Sequence, residues 1–348
     1  MPPASNPSDA LTYLTVPPPE PGALAQVADG VHWVRFPLPM ELDHINLWLI
    51  EHEDGFVLVD TGLATQAGRE VWELLEQRLL GSRPLRLIVV THLHPDHAGL
   101  AAWLQARHRV PVWTSRETER QMRQLLEPAS EERLAERRTF FRSHGVSDLD
   151  SLGASLTGER YRAHVSGVPE VGHHPQDEDE VTWESARWRW LATGGHAAGH
   201  LCLHDPVRQL LITGDQVLPT ISPNVSWNTW SGDEDPLDSF LSALERLAAL
   251  DPQTLALPSH GRPFVGLRAR ALELRSHHRK HLEQLLEACR EPRTASETLR
   301  VLFRRKLTGF HQVLAIGEAI AHLEYLARRG RLARLTDAEG TIRYARAG

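Results

Sequence analysis

Residues 87–99 read Leu87-Ile88-Val89-Val90-Thr91-His92-Leu93-His94-Pro95-Asp96-His97-Ala98-Gly99. The aliphatic, β-branched first part predicts a buried strand, and the last part the start of a helix. Between them, three histidines and one aspartate fall within six positions. A strand would deliver this polar turn to the edge of a sheet. Such a density of imidazole and carboxylate suits Zn²⁺, or another borderline ion such as Fe or Mn. Neighbouring side chains diverge, so four ligands from one turn do not reach one ion comfortably. The spacing instead suits two ions, one taking His92 and His94, the other Asp96 and His97.

Each ion then needs ligands from elsewhere, and three positions qualify. His196 lies in Thr193-Gly194-Gly195-His196-Ala197-Ala198-Gly199-His200, where glycines allow a loop to fold closely against a metal. Asp215 follows the apolar run ending Ile212-Thr213-Gly214, at the carboxyl end of a strand, where sites in α/β sheets cluster. His260, in Leu257-Pro258-Ser259-His260-Gly261, also lies just beyond a strand. The other histidines of a chain holding 20 read as solvated or structural: 173 and 174 in a polar loop, 277, 278 and 281 on a charged helix.

Working outward, alternation predicts strands over 30–36, 45–50 and 56–60, an antiparallel meander ending in Val59-Asp60-Thr61-Gly62. A helix over 65–80 places Val71, Leu74, Leu75 and Leu79 on one face. Next come the strand 86–90, a helix over 99–107 and a short strand at 111–114. This order fits a layered α/β arrangement with helices covering a mixed sheet. Residues 115–166 read as a charged helical insertion, either a lid over the sheet edge or a solvated excursion. Strands resume at 180–183, 187–192, 200–204 and 210–213. A helix over 236–250 and a strand at 254–257 follow, hinting at a duplicated βα unit.

A helix over 266–289 connects to a final segment of different charge. Residues 291–348 hold 11 Lys+Arg against 6 Asp+Glu, in a chain of 348 residues with net charge −7. Helices at 296–306 and 310–329, then a hairpin around 337–340, give the order of a small winged-helix module. The domain reading is thus a flexible Pro-rich arm over 1–24, a catalytic domain over 25–265, a connecting helix over 266–290 and a winged-helix-like domain over 291–348.

Composition bounds the setting. Hydrophobic and charged contents of 41% and 24% are ordinary globular values. The negative balance argues against whole-surface binding to nucleic acid or anionic membrane. The amino-terminal stretch lacks a basic then apolar signal pattern, and no run of about 18 apolar residues suggests a membrane span. Cys202 and Cys289 imply no disulfide framework, so a cytoplasmic location is expected.

The blocks His92-x-His94-x-Asp96-His97, His196, Asp215 and His260, with Val59-Asp60-Thr61-Gly62 before them, resemble those of the metallo-β-lactamase fold hydrolases. The match spans roughly residues 28–262. The resemblance implies a four-layer αβ/βα sandwich with two divalent metal ions, Zn first among them. It also implies that His92, His94 and His196 bind one ion and Asp96, His97 and His260 the other. Asp215 would bridge the two, Asp60 would support a ligand from behind, and His200 would be structural.

Two ions sharing one water would supply a hydroxide nucleophile near pH 7. Asp96 and Asp215 are the candidate catalytic carboxylates, Asp96 orienting the nucleophile and accepting its proton. Ester, thioester, lactone, amide and phosphodiester hydrolysis are all compatible. Thioester hydrolases of the glyoxalase II type share the Gly-His-x-x-Gly-His block. After Asp215, however, this chain departs from their loop, and its final segment is not their glutathione-binding helical domain. The layout is similar to lactamase-like hydrolases with a terminal winged helix (the β-lactamase-like protein 2 type), some of which cleave single-stranded RNA. Arg304, Arg305, Lys306, Arg328, Arg329 and Arg331 are the residues that would serve nucleic-acid binding. Leu218, Ile221, Trp227 and Trp230, just after Asp215, instead suggest a partly apolar pocket. The favoured expectation is a small-molecule ester or thioester hydrolase, with a metal-dependent ribonuclease or lactonase as the alternative.

Overall fold

Apolar residues fill both faces of the strands around the histidine turn, so each strand needs cover on two sides. The computed structural model, which describes residues 11–80, 83–232, 234–303 and 307–347, supplies that cover as four layers. The strands in chain order are β1 (Thr12–Tyr13), β2 (Ala25–Ala28), β3 (Val31–Pro37), β4 (His44–His52), β5 (Gly55–Val59), β6 (Leu85–Val89), β7 (Val112–Trp113), β8 (Val171–His173), β9 (Glu180–Trp183), β10 (Ala186–Ala192), β11 (Leu201–Asp205), β12 (Leu210–Gly214), β13 (Leu255–Pro258), β14 (Phe264–Val265), β15 (Leu332–Thr336) and β16 (Ile342–Arg346).

One sheet has the order β2-β3-β4-β5-β6-β7-β8, the other β1-β14-β13-β12-β11-β10-β9. In the first, β2 to β5 pair antiparallel and β5 to β8 parallel. The second is antiparallel except where β12 meets β13.

Alternation along each strand sorts its residues between two cores. Trp33, Trp48, Val57 and Val89 point inward and meet Trp188, Trp190, Leu203 and Ile212 of the facing sheet. Their neighbours Val34, Leu47, Leu58 and Ile88 point outward against Val71, Trp72 and Leu75 of the helix Gln66–Leu75 and Leu104 of Ala101–His108. Outside the second sheet, Leu191, Cys202 and Leu211 pack on Leu237, Phe240 and Leu244 of Pro236–Ala248 and on Leu267 and Leu274 of Leu267–Ala288. This is the expected mixed α/β sandwich.

Several edges depart from the sequence reading. The arm over 1–24 is not wholly free: Thr12 and Tyr13 pair with Val265 and Phe264, and Leu14 N–H donates to Pro263 O at 2.9 Å. Short strands β2, β8 and β14 also lie outside the predicted set. The π-helical turn Glu76–Leu80 ends the helix predicted over 65–80, and the side chain of Leu79 lies outside the described residues. The helix after the histidine turn breaks into Pro95–Ala98 and Ala101–His108.

The insertion holds the helices Arg116–Leu126 and Glu131–Ser143 plus shorter turns. It is more than a solvated excursion: Phe141, Val146 and Leu156 share a core with Leu285, Ile316, Ile320 and Tyr344. The final segment forms Ala295–Leu302, opened by a Thr294/Glu297 capping box, then Gly309–Arg328 and the β15–β16 hairpin. No helix among the described residues is long and apolar enough to cross a membrane.

Candidate metal centre

Seven residues named from the sequence converge at the strand ends of the two sheets. The ligand atoms of His92, His94, His196 and Asp215 lie within 4.8 Å of one another, and those of Asp96, His97 and His260 do likewise. β6 delivers the histidine turn, the β10–β11 loop His196, the end of β12 Asp215, and the end of β13 His260.

The first group is a set of converging nitrogens. His94 Nδ1 is 2.9 Å from His92 Nε2 and 3.0 Å from His196 Nε2. His196 Nδ1 donates to Asn224 O at 2.9 Å, which leaves its Nε2 as a lone pair. Thr91 Oγ1 gives its one proton to Asp60, so it can only accept from His92 Nδ1, 3.1 Å away. His92 Nε2 is then a lone pair too. Two lone pairs and a third nitrogen aimed at one point call for a cation. Tetrahedral ligands at Zn–N distances would lie roughly 3.3 Å apart. Burial holds His92, His94 and His196 below the usual imidazole range, His94 down to about 3. Neutral imidazole is the form that ligates a metal.

The second group is built around carboxylates. Asp215 divides its oxygens: Oδ2 faces His196 Nε2 at 3.5 Å, while Oδ1 faces His97 Nε2 and His260 Nε2, each at 3.4 Å. Asp96 Oδ2 adds contacts of 3.7 Å to His97 and 3.3 Å to His260. His97 Nε2, His260 Nε2 and Asp215 Oδ1 are buried without a hydrogen-bond partner. Their outer nitrogens are committed, His97 Nδ1 to Asp60 at 2.8 Å and His260 Nδ1 to His44 O at 2.7 Å. Burial opposes protonation here, but Asp215, with Asp60 and Asp96, raises His97 well above its ordinary value. Against the same burial, Asp215 and Asp96 lift His260 to about 10. The negative field that holds these protons is the field a divalent cation would feel. Both residue sets therefore fit a metal.

Supporting residues fix this arrangement. Asp60 adopts a left-handed φ of 63° and accepts from Thr91 N–H, Thr91 Oγ1 and His97 Nδ1. His200 takes Asp215 N–H on Nε2 at 3.1 Å, while its Nδ1 meets Thr193 Oγ1 at 2.8 Å. Gly214 permits this approach, because a Cβ there would stand 2.4 Å from His200 Nε2. Sequence reading missed Asn46, whose amide donates to Pro258 O and Gly261 O at 2.8 Å each and ties the first sheet to the His260 loop. A lone amide inside the apolar run 45–50 was the available signal.

A cavity of about 340 Å³ opens on His94, Asp96 and His196. Its walls are largely apolar: Leu63 and Leu93 beside the centre, Leu125 and Tyr161 from the insertion, and Phe310, Val313 and Leu314 from the last helix. Of the four apolar residues singled out after Asp215, Trp230 lines this cavity. Leu218 is buried elsewhere, Ile221 is exposed, and Trp227 packs in the carboxyl-terminal core beneath Arg328. Arg329 bridges Asp235 and Asp238, and Arg328 faces Glu234. Arg331 is exposed, and Arg304, Arg305 and Lys306 lie outside the described residues.

A two-sheet sandwich with this histidine and aspartate centre defines a metal-dependent hydrolase class. The chain belongs to the metallo-beta-lactamase superfamily, which it matches over residues 40–260, and residues 282–347 match the metallo-beta-lactamase-like C-terminal domain. It is similar to a beta-lactamase domain protein from Burkholderia ambifaria at 37% identity, covering 97% of this chain and 98% of that one with a TM-score of 0.88. The probable metallo-hydrolase YflN of Bacillus subtilis (strain 168) is 27% identical over 70% of this chain and 89% of its own length. The acyl-coenzyme A thioesterase MBLAC2 of Bos taurus is 27% identical over 68% of this chain and 80% of its own. The protein is a metallo-hydrolase of this superfamily.

Proposed function

We propose that the protein is a binuclear metal-dependent hydrolase of small acyl thioesters or esters. The observation that carries this reading is Asp215, whose two oxygens face two separate ligand sets, of which His94, His196 and Asp96 line an apolar cavity. Two divalent ions, Zn²⁺ first among the candidates, would acidify the attacking water and stabilise charge developing on the substrate oxygen. Asp96 stands on the cavity wall, where it can orient the nucleophile and take its proton. Leu63, Leu93, Tyr161 and Val313 would hold the acyl chain and exclude bulk water.

The leaving group favours the same reading. Amide nitrogen must be protonated to leave, whereas a thiol, with a pKa of about 8.5, departs as the anion. Tyr161 is a poor acid for the former task, since its hydroxyl donates to Leu93 O at 2.8 Å and burial raises its pKa. The likeness to an acyl-coenzyme A thioesterase supports the thioester arm. Arg160, stacked over Phe310 at the cavity, would meet an anionic carrier group. Two buried free thiols, Cys202 and Cys289, support a reducing, cytoplasmic setting.

The test is a hydrolysis screen of acyl thioesters, aryl esters, lactones and single-stranded RNA on one metal-loaded sample. Thioester or ester turnover is expected, with about two ions at the catalytic centre of each chain. Asp96→Ala and Asp215→Ala should abolish it. A full-rate Asp215→Ala enzyme would sink the mechanism, and turnover confined to RNA would replace the substrate class.

A further inference from the structure

A second group of histidines lies away from the centre just described, where the helix Leu267–Ala288 packs on Gly309–Arg328. The first helix carries His277 and His281, the second Glu318 and His322, each pair four residues apart and so on one helix face. Read from the sequence, the first pair belongs to a solvated charged helix. In the fold it turns toward the neighbouring helix. The ligand atoms of His277, His281 and Glu318 lie within 4.8 Å of one another.

The hydrogen bonds around this group leave specific atoms over. His322 Nδ1 donates to Glu318 O at 2.8 Å, so its Nε2 accepts from His278 Nδ1, 3.0 Å away. That bond leaves His278 Nε2 buried without a hydrogen-bond partner. His281 Nδ1 is buried without a hydrogen-bond partner and faces Glu318 Oε1 at 3.8 Å. Glu318 Oε2 is held by the Asn224 amide at 2.9 Å, which fixes the carboxylate with Oε1 turned toward the histidines. Burial keeps His281 down at about 4, a neutral imidazole at pH 7. His277 and His281 are only half-buried, which leaves an entry path from solvent. Imidazoles and a carboxylate projected from facing helices form one of the common ways of building a metal site between helices.

We propose that His277, His281 and Glu318 form an additional divalent-metal site, of the Zn²⁺ class, joining the connecting helix to the last long helix. Two nitrogens and one oxygen match the donors this ion takes, with solvent free to complete the shell. The chemistry needs neutral histidines and an ionised carboxylate, so binding a cation displaces at most the Glu318 proton. The site shares no ligand with the catalytic centre; Asn224 lies between them, its O bonded to His196 Nδ1 and its amide to Glu318.

The test is metal stoichiometry on the full chain. Wild type, His277→Ala and Glu318→Gln are stripped with chelator, reloaded with excess Zn²⁺, desalted and counted by mass spectrometry. Circular dichroism and elution volume confirm folding; His277, half-exposed, is the safer position, and Gln can keep the bond to Asn224. Each variant should hold one equivalent fewer than wild type, whatever the catalytic centre holds. A wild-type count in either folded variant overturns the proposal. So does the loss of an equivalent in the control His173→Ala, an exposed histidine away from this cluster, because that marks surface uptake.

Discussion

Replacing Asp60 by Asn separates orientation of a ligand from provision of one. Asp60 touches no substrate-facing group; it accepts from Thr91 N–H at 2.8 Å, from Thr91 Oγ1 and from His97 Nδ1 at 2.8 Å. Asn is the best-tolerated non-glycine replacement at a φ of 63°, so the backbone should keep its path. The new Oδ1 can still accept from Thr91. The new amide meets His97 Nδ1 with a proton of its own, and His97 must move its proton to Nε2 to accept it. Nε2 is the atom aimed at Asp96 and Asp215, so the ligating lone pair is lost. Disturbing such a supporting bond typically costs 10–100-fold in metal affinity, or about 1.4–2.7 kcal/mol. Competition against a chromophoric chelator should show this loss for one ion, leaving affinity at His92, His94 and His196 within about threefold. Hydrolysis should return as metal concentration is raised. Wild-type affinity for both ions in a folded Asp60→Asn protein would refute the tautomer argument.

Other consequences follow from the same geometry. His97 and His260 hold protons at neutral pH because Asp215 and Asp96 raise them, His260 to about 10. An ion entering this group must expel those protons, so its affinity should fall as pH falls, by up to about tenfold per proton per pH unit. Metal titration in buffers of differing protonation enthalpy reads the protons released, and a pH-independent affinity would contradict the assignment. Gly195→Ala places a Cβ 2.4 Å from both Phe240 Cβ and Pro236 O at a φ of +91°, one residue before His196. Strain of about 1–3 kcal/mol should lower Tm and weaken metal retention together. Phe310→Ala shortens the apolar wall without touching a ligand, and should raise KM for a medium-chain acyl substrate about 3–10-fold with kcat nearly unchanged. A kcat loss larger than the KM change would place Phe310 in the chemistry.

What the sequence made legible follows from how the information is stored. The histidine turn and its partners could be read because each follows an apolar strand, and strand ends carry the ligands of both sheets. The division of Asp215 between two groups has no counterpart in spacing. It depends on β12 being paired with β13 and on the bond from Asp215 N–H to His200. Edge strands such as Thr12–Tyr13 hold too few residues for any period, and their pairing with Val265 and Phe264 is a contact across the whole domain. The histidines 277 and 281 were misplaced for another reason. Their helix is polar on two faces, and polarity alone does not distinguish a face turned to water from one turned to another polar helix.

The substrate wall is built separately from the chemistry. Every candidate ligand sits on a strand end or a turn braced by hydrogen bonds, while Leu125, Tyr161, Phe310, Val313 and Leu314 come from helices of the insertion and the last segment. Those two segments are not independent: Phe141 and Leu156 of one share a core with Ile316 and Ile320 of the other. A change in the last helix is therefore felt at the insertion before it is felt at His94 or Asp96. The charge asymmetry of the chain has the same logic. Part of the positive balance of the final segment is met at home, where Arg329 bridges Asp235 and Asp238 and Arg328 lies over Trp227 beside Glu234. These pairs are exposed, so each contributes little to stability. They join the last helix to the segment that follows the loop holding His196 through Asn224 O. On this arrangement, substrate preference can change by substitution at Phe310 or Val313 while the metal-binding turn stays as it is.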